Sequence, residues 1–293
     1  MYVIIIIMKR YLILILSFYY TLQADITSAV VHSSISTYYE DKTFKKSVQK
    51  TDSVVYGIGA DIHHEDSQYK FTYEHSNTNT KQPPLPKDLK VDKIFLRFSH
   101  DVNSKFKLNF NYIGINDNLA ETDGGKTYGL GFTYALNEKS NINVTQYFTN
   151  YNYFNVYQSD LKFVYKLKIN EVKLNLKSIT KYININKKNL SSFTKNASSD
   201  YLTTGILFHA HYNSYHLGGG AYYGNRVFAV MSDGFKIQHH SMEINRTYSI
   251  GIGKTISNFI LRFQYIYQKA EELPMQNRNV EIKNMRLVLN YKF

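Results

Sequence analysis

The C-terminal stretch Asn284-Met-Arg-Leu-Val-Leu-Asn-Tyr-Lys-Phe293 alternates between two kinds of side chain. Met285, Leu287, Leu289, Tyr291 and Phe293 share one face, and Asn284, Arg286, Val288, Asn290 and Lys292 share the other. Such alternation marks a β-strand, whose side chains point to opposite faces at each step. The pattern recurs back along the chain. Phe259, Leu261, Phe263, Tyr265 and Tyr267 oppose Arg262, Gln264 and Gln268, while Leu161, Phe163, Tyr165 and Leu167 oppose Lys162, Lys166 and Lys168. Phe106, Leu108, Phe110 and Tyr112 oppose Lys105, Lys107, Asn109 and Asn111. Tyr128, Leu130, Phe132, Tyr134 and Leu136 oppose Gly129, Gly131, Thr133 and Ala135. In a soluble sandwich the apolar face would be the core; in a barrel it would face lipid.

The rings come from 27 Tyr and 18 Phe, with no Trp, and an apolar content of 43% excludes a disordered chain. A negative mean hydropathy excludes a bundle of membrane helices. It does not exclude a membrane barrel, in which half of every strand faces water. The absence of Cys removes disulfides, thiolate metal sites and Cys nucleophiles. The 35 Lys and Arg against 23 Asp and Glu are spread over the strands, which argues against a nucleic-acid partner. No cofactor or metal signature appears, and Asp123-Gly-Gly-Lys126 reads as loop chemistry.

Connections alternate in length. Tight links fall near Glu65–Ser67, Asp101–Ser104, Asn137–Ser140, Ile169–Asn170, Asn213–Ser214 and Lys254–Ser257. Longer polar links fall near 41–52, 77–90, 117–126, 152–156, 184–200, 229–240 and 270–279. Together these predict an all-β fold, a transmembrane up-and-down antiparallel barrel of about fourteen strands, with twelve or sixteen as alternatives. Residues 25–293 form its single domain. Residues 1–24 read as a secretory leader: Lys9 and Arg10, then the apolar run Tyr11 to Tyr20, then a cleavage site after Ala24, with Met1 or Met8 as the start.

The terminal strand, with Phe293, Tyr291, Leu289 and Leu287 at alternate positions, resembles the last strand of bacterial outer-membrane β-barrels. The resemblance implies recognition of that strand by the barrel-assembly machinery, outer-membrane lipid around the barrel, and residence in the outer membrane of a Gram-negative bacterium. Strand number and length resemble small monomeric porins more than trimeric ones, and no loop is long enough to fold into the bore as a constriction. Tyr38, Tyr39, Tyr56, Tyr69, Tyr73, Tyr265 and Tyr291 are expected to supply the interfacial belt in place of Trp.

The opposite face is then the lumen, and it is basic. Lys93, Arg97, Lys105, Lys107, Lys162, Lys166, Lys168, Lys173, Lys177, Lys181, Arg262 and Arg286 fall there by parity, against Asp61, Glu74, Glu171 and Glu243. Pairing Lys168 with Glu171 would set Lys166 opposite Lys173 and Lys162 opposite Lys177. Directly opposed like charges destabilise a sheet unless water screens them, so this face is expected to be wet and to favour anions. Across the turn at Asn213–Ser214, His211 would face His216 with His209 diagonal, a cluster sensitive to pH. Gly218, Gly219 and Gly220 suggest a bulge or a place where bulky neighbours need room. Arg246 and Lys283 fall on the lipid face, which requires a position near the rim or a bulge.

Tyr73-Glu-His-Ser-Asn77 faintly resembles the His-x-Ser pattern of outer-membrane phospholipase. Adjacent His75 and Ser76 point to opposite faces of a strand, so no enzyme is expected. The expected function is a porin-like channel for passive diffusion of small solutes, with preference for anions. The alternatives are a structural or surface-interaction barrel with ligand-contacting loops, and a lipid hydrolase at the rim.

Overall fold

The computed structural model describes residues 33–293 except 82–84, 86–87, 190 and 192–193. The expected leader, residues 1–24, lies outside the described residues. The long strands in the first half are β1 Ser34–Lys45, β2 Lys50–His64, β3 Ser67–Thr80, β4 Asp88–Asp101, β5 Phe106–Asp117, β6 Lys126–Ala135 and β7 Ser140–Asn150. Those in the second half are β8 Phe154–Ile169, β9 Val172–Lys187, β10 Asp200–Tyr212, β11 Tyr215–Arg226, β14 Met242–Ile256, β15 Phe259–Glu272 and β16 Asn277–Lys292. Between β11 and β14 lie two short strands, β12 Val230–Met231 and β13 Lys236–Ile237, with a 3-10 turn at Ser232–Gly234. The 14 long strands form a closed antiparallel barrel in which each pairs with its sequence neighbour, and β1 closes on β16 from Ser34↔Lys292 to Lys45↔Glu281.

Side-chain alternation gives the cylinder two unlike surfaces. Outside, Leu130, Ile206, Leu202 and Ile252 are 60–67% exposed, and Phe71, Phe98, Phe110, Phe163 and Phe263 are exposed beside them. Apolar side chains so dense over a whole surface are a lipid-facing band, in which hydrocarbon is the solvent. Inside, Glu40, Lys93, Asn109, Asn111, Gln158, Lys181 and Asn284 are buried.

The turn end of the barrel is built tightly. Glu65, Asn170, Asn213 and Ser257, one in each two-residue link, take φ of 50–52°. Where the links are longer, Asn103 accepts the backbone N–H groups of Lys105 and Phe106, and Asn137 accepts those of Lys139 and Ser140. These Asx turns stand in for ladder bonds. Lys105 therefore lies in an exposed turn and not on the lumen face. At the loop end, residues 41–52 are mostly strand, with only 46–49 outside β1 and β2.

Tyr38 does not join the interfacial belt. It shares its face with Glu40, points inward, and lies over Gly57, where a Cβ would meet the ring at 2.2 Å. Its hydroxyl donates to Glu74 at 2.7 Å, and the Arg286 guanidinium sits 4.0 Å from its ring centre. Tyr39 faces out and meets Tyr56 at 5.4 Å between ring centres. The ladder runs through Gly218, Gly219 and Gly220 without a bulge. A Cβ on Gly220 would come within 2.3 Å of Leu207 Cδ2, so this glycine makes room for a neighbour.

Leu130 lies midway along β6 on the outward face. Leu130→Arg is expected to cost about 2–4 kcal/mol in urea unfolding from lipid vesicles. An unchanged midpoint would contradict a lipid-facing position.

Candidate functional site

The segment 227–241, between β11 and β14, folds into the bore. Val227-Phe-Ala-Val-Met231 is apolar, and Val227, Phe228 and Ala229 are fully buried. They pack on inward side chains of the wall, among them Leu89, Val91 and Phe95 of β4, Ile113 of β5, Phe154 and Val156 of β8 and Ile183 of β9. The Phe228 ring centre lies 4.6 Å from that of Phe154 and 6.0 Å from that of Tyr151. Burying one such ring contributes about 1.5–3 kcal/mol, and burial of Val227, Ala229, Val230 and Met231 adds to it.

Polar contacts then fix its position. The Gln158 amide mimics a strand, donating to the Val230 carbonyl and accepting the Val230 N–H, both at 2.8 Å. Lys162 donates to Asp233 Oδ1 at 2.7 Å, and Arg97 to the Asp233 carbonyl at 3.4 Å. Gly234, at φ 93°, presses against Asn111, where a Cβ would come within 2.6 Å of Oδ1. On the far side, Lys236 donates to Glu40 of β1 at 3.3 Å, and Lys50 Nζ lies 3.1 Å from His240 Nδ1. In the strand order β8 and β1 stand seven places apart in either direction, so they are opposite walls. The hairpin is anchored on both and lies across the bore.

This overturns the expectation that no loop is long enough to constrict the lumen. Length was not the deciding property. The run Val227–Met231, matched by inward apolar residues at the loop end, was the signal. Asp233, His239 and His240 also belong to the site.

The electrostatics of the loop are specific. Burial would raise the Asp233 carboxyl, but Lys162 and then Arg97 and Lys177 override it and hold it at about 2. His239 is pushed well below its ordinary value, first by burial and then by Lys93, Lys50 and Lys42, although its Nε2 lies 3.7 Å from Asp117. The seated loop thus combines a neutral His239 with an ionised Asp233.

The basic residues expected in the lumen divide into two groups. Lys93 is buried on Glu74 at 2.8 Å, Lys181 on Asp160, and Lys162 on Asp233, while Lys107 reaches Asp101 at 3.2 Å. Arg97 is held by Asn109 at 2.8 Å and Ser99 at 3.3 Å. Toward the turn end, by contrast, Lys166, Lys168, Lys173, Lys177 and Arg262 have no carboxylate within ion-pairing distance among the described residues, and Asp61 is taken by Lys70 at 2.7 Å. The β8–β9 register lies two residues from the expected one. Lys168 directly faces Lys173, Lys166 faces Asn175, Lys162 faces Ile179 and Val164 faces Lys177. A two-residue shift preserves the face of every side chain, so alternation does not detect it. Glu171 belongs to the turn, and Glu243 faces outward, where Asn225 donates to it at 2.6 Å. The buried acids Glu40, Asp160 and Glu272 were not singled out by the sequence.

The register pairs His211 with His216, and their rings stack at 4.5 Å; His209 stacks on His216 at 5.6 Å. His216 Nε2 lies 2.8 Å from Thr255 Oγ1. Among the described residues no group of three His or carboxylate side chains converges as metal ligands. His75 Nδ1 sits on Asp92 at 2.8 Å on the outward face, whereas Ser76 is buried inward, so the two do not meet. At the C-terminus the Phe293 N–H bonds to the Ser33 carbonyl at 3.0 Å, and Tyr291 packs between Phe259 and Phe293 at 4.8 and 5.2 Å.

Among solved structures the chain is similar to a bacterial polysaccharide outer membrane secretin, at 8% identity and a TM-score of 0.55 over 89% of this chain and 98% of that one. It is similar to the toluene transporter TbuX of Ralstonia pickettii at 9% identity and a TM-score of 0.54, over 91% and 90%. It is also similar to the CymD monoaromatic hydrocarbon channel at 12% identity and a TM-score of 0.50, over 89% and 87%. No protein-family model and no curated protein matches the sequence. The fold is that of the bacterial outer-membrane β-barrel channels.

Because His239 is buried neutral, its contribution to seating the loop is fully present above its free value of about 6.5 and falls as pH drops below it. Asp233, whose value is depressed to about 2, stays ionised over the same range. Amide-exchange protection of residues 228–238, corrected for intrinsic rate, is expected to fall roughly fivefold per buried neutral His between about pH 6.5 and about pH 5.5. His240 is lowered by burial in the same way, so His239→Gln combined with His240→Gln should keep protection level. PH-independent protection in the unaltered chain would contradict the account.

Proposed function

We propose that this chain is a passive outer-membrane channel for small anionic solutes, with the hairpin at 227–241 as its constriction. One observation carries the selectivity: Lys166, Lys168, Lys173 and Arg262 line the turn end without acidic partners among the described residues. A wet, confined surface of one sign raises the local concentration of counter-ions and favours their passage. The hairpin forces solutes past the Lys162–Asp233 contact, where Arg97 and Lys177 keep the local balance positive. His209, His211 and His216 stack in the same vestibule. In this reading the turn end is periplasmic, residues 1–24 are removed on export, and the strand ending Leu287, Leu289, Tyr291, Phe293 is read by the barrel-assembly machinery.

A second reading draws on the same hairpin. A bore crossed from β8 to β1 and lined there by apolar side chains also suits a filled, structural barrel whose outer loops make the contacts.

Planar-bilayer recording separates the two. The channel reading expects steady unitary current and a reversal potential displaced toward chloride in a salt gradient. Lys166→Gln combined with Lys173→Gln, Lys177→Gln and Arg262→Gln should abolish that displacement. Cation selectivity in the unaltered chain would overturn the anion assignment, and the absence of any current would favour the filled barrel.

A further inference from the structure

The outward face of β14, β15, β16 and β1 changes character abruptly near the loop end. Tyr248 and Tyr267 are register partners with ring centres 6.5 Å apart, and Tyr223 meets Tyr248 edge-on at 5.8 Å. Two residues nearer the loops on the same face, Arg246 faces Lys269 directly. Lys283 is flanked by Tyr267 and Thr43, and Lys45 faces Glu281. The four strands are consecutive neighbours, so at about 4.8 Å per strand the cations span about 15 Å along the rim.

The array holds one carboxylate, Glu281, which faces Lys269 and Lys45 across the ladder. Its side chain is held by Lys46 at 3.1 Å. Among the described residues, Arg246, Lys269, Lys283 and Lys45 have no carboxylate within ion-pairing distance. Glu243 and Glu271 belong to the next tier outward, where Glu271 is taken by Arg278 at 3.3 Å. Asp41 lies one step inward, opposite Met285. Cations on a lipid-facing strand are tolerated only at the interface, and directly opposed like charges destabilise a sheet. An array of this kind is stable where an anion lies against it. At the depth just outside a tyrosine belt, with apolar side chains such as Ile250, Phe263 and Leu287 below it, that anion is a lipid phosphate.

We propose that Arg246, Lys269, Lys283 and Lys45 form a docking site for the phosphates of an outer-leaflet glycolipid, lipid A, whose acyl chains lie along the apolar face beneath. The site rests on the outer-membrane placement of the barrel and is independent of conduction. The width of the array suits a headgroup carrying two phosphates.

Native mass spectrometry of the detergent-released full chain tests it with three probes: lipid A, lipid A stripped of both phosphates, and phosphatidylglycerol. Lipid A should be retained and the stripped form lost. Arg246→Gln with Lys269→Gln and Lys283→Gln should weaken retention roughly a hundredfold, as expected for three juxtamembrane cations. Lys254→Gln, at the opposite rim, should change nothing. Heat-modifiable mobility of each variant on gels confirms a folded barrel. Equal retention of the stripped form, or unchanged retention in the folded triple variant, would overturn the proposal. Equal retention of phosphatidylglycerol would replace lipid A with phosphate-bearing lipid in general.

Discussion

Hydrocarbon offers no partner to a backbone N–H or C=O, and this constraint organises the molecule. A sheet can stand in lipid only if it has no free edge, so the first strand must find the last. Here β16 pairs with β1 along the whole length of β1, and Phe293 adds one further bond to Ser33. The places where the ladder slips obey the same rule. Register shifts occur at Lys50/Ser53, Tyr223/Arg226, Ile244/Arg246 and Ala270/Glu272, all at the loop end, where water and side chains satisfy the released groups. Glu272 shows how: its carboxylate accepts the Ser47 hydroxyl and the backbone N–H groups of Val48 and Gln49.

Within the cylinder, two different interiors are stacked. At the loop end the wall residues are apolar or ion-paired, and the hairpin at 227–241 completes that packing. At the turn end the wall is small, polar and cationic, with Gly251, Gly253 and Thr255 beside Arg262 and the stacked His residues. Burial is what allows the first interior to fix a loop, because Lys162 and Gln158 make few alternative contacts with water. Hydration is what allows the second to hold facing lysines such as Lys168 and Lys173.

Much of this was legible in the sequence. Period-two alternation located the strands, and Asn170, Asn213 and their counterparts located the tight turns, because strand and turn are local properties. What escaped was non-local. The β8–β9 register differs by two residues and leaves every face unchanged. Tyr38 looked like a belt residue because its partners, Gly57, Glu74 and Arg286, come from three other strands. The in-folded hairpin left its trace mainly on the wall: Val91 and Phe95 point inward while Ile94, Leu96 and Phe98 point outward, so β4 is apolar on both faces. A strand that departs from alternation in this way reports something apolar inside the bore. Pairing of Asp160 with Lys181 and of Glu40 with Lys236 likewise needed the closed ring before it could be seen.

The central claim is that lipid solvates one side of every strand and the bore the other. The chain has no Cys, so single Cys substitutions carrying a nitroxide report each position separately. Along β6 in lipid vesicles, collision with dissolved oxygen should be high at positions 128, 130, 132 and 134 and low at 129, 131 and 133, where the barrel interior shields the label. Uniform accessibility along the strand, or the opposite phase, would contradict the account.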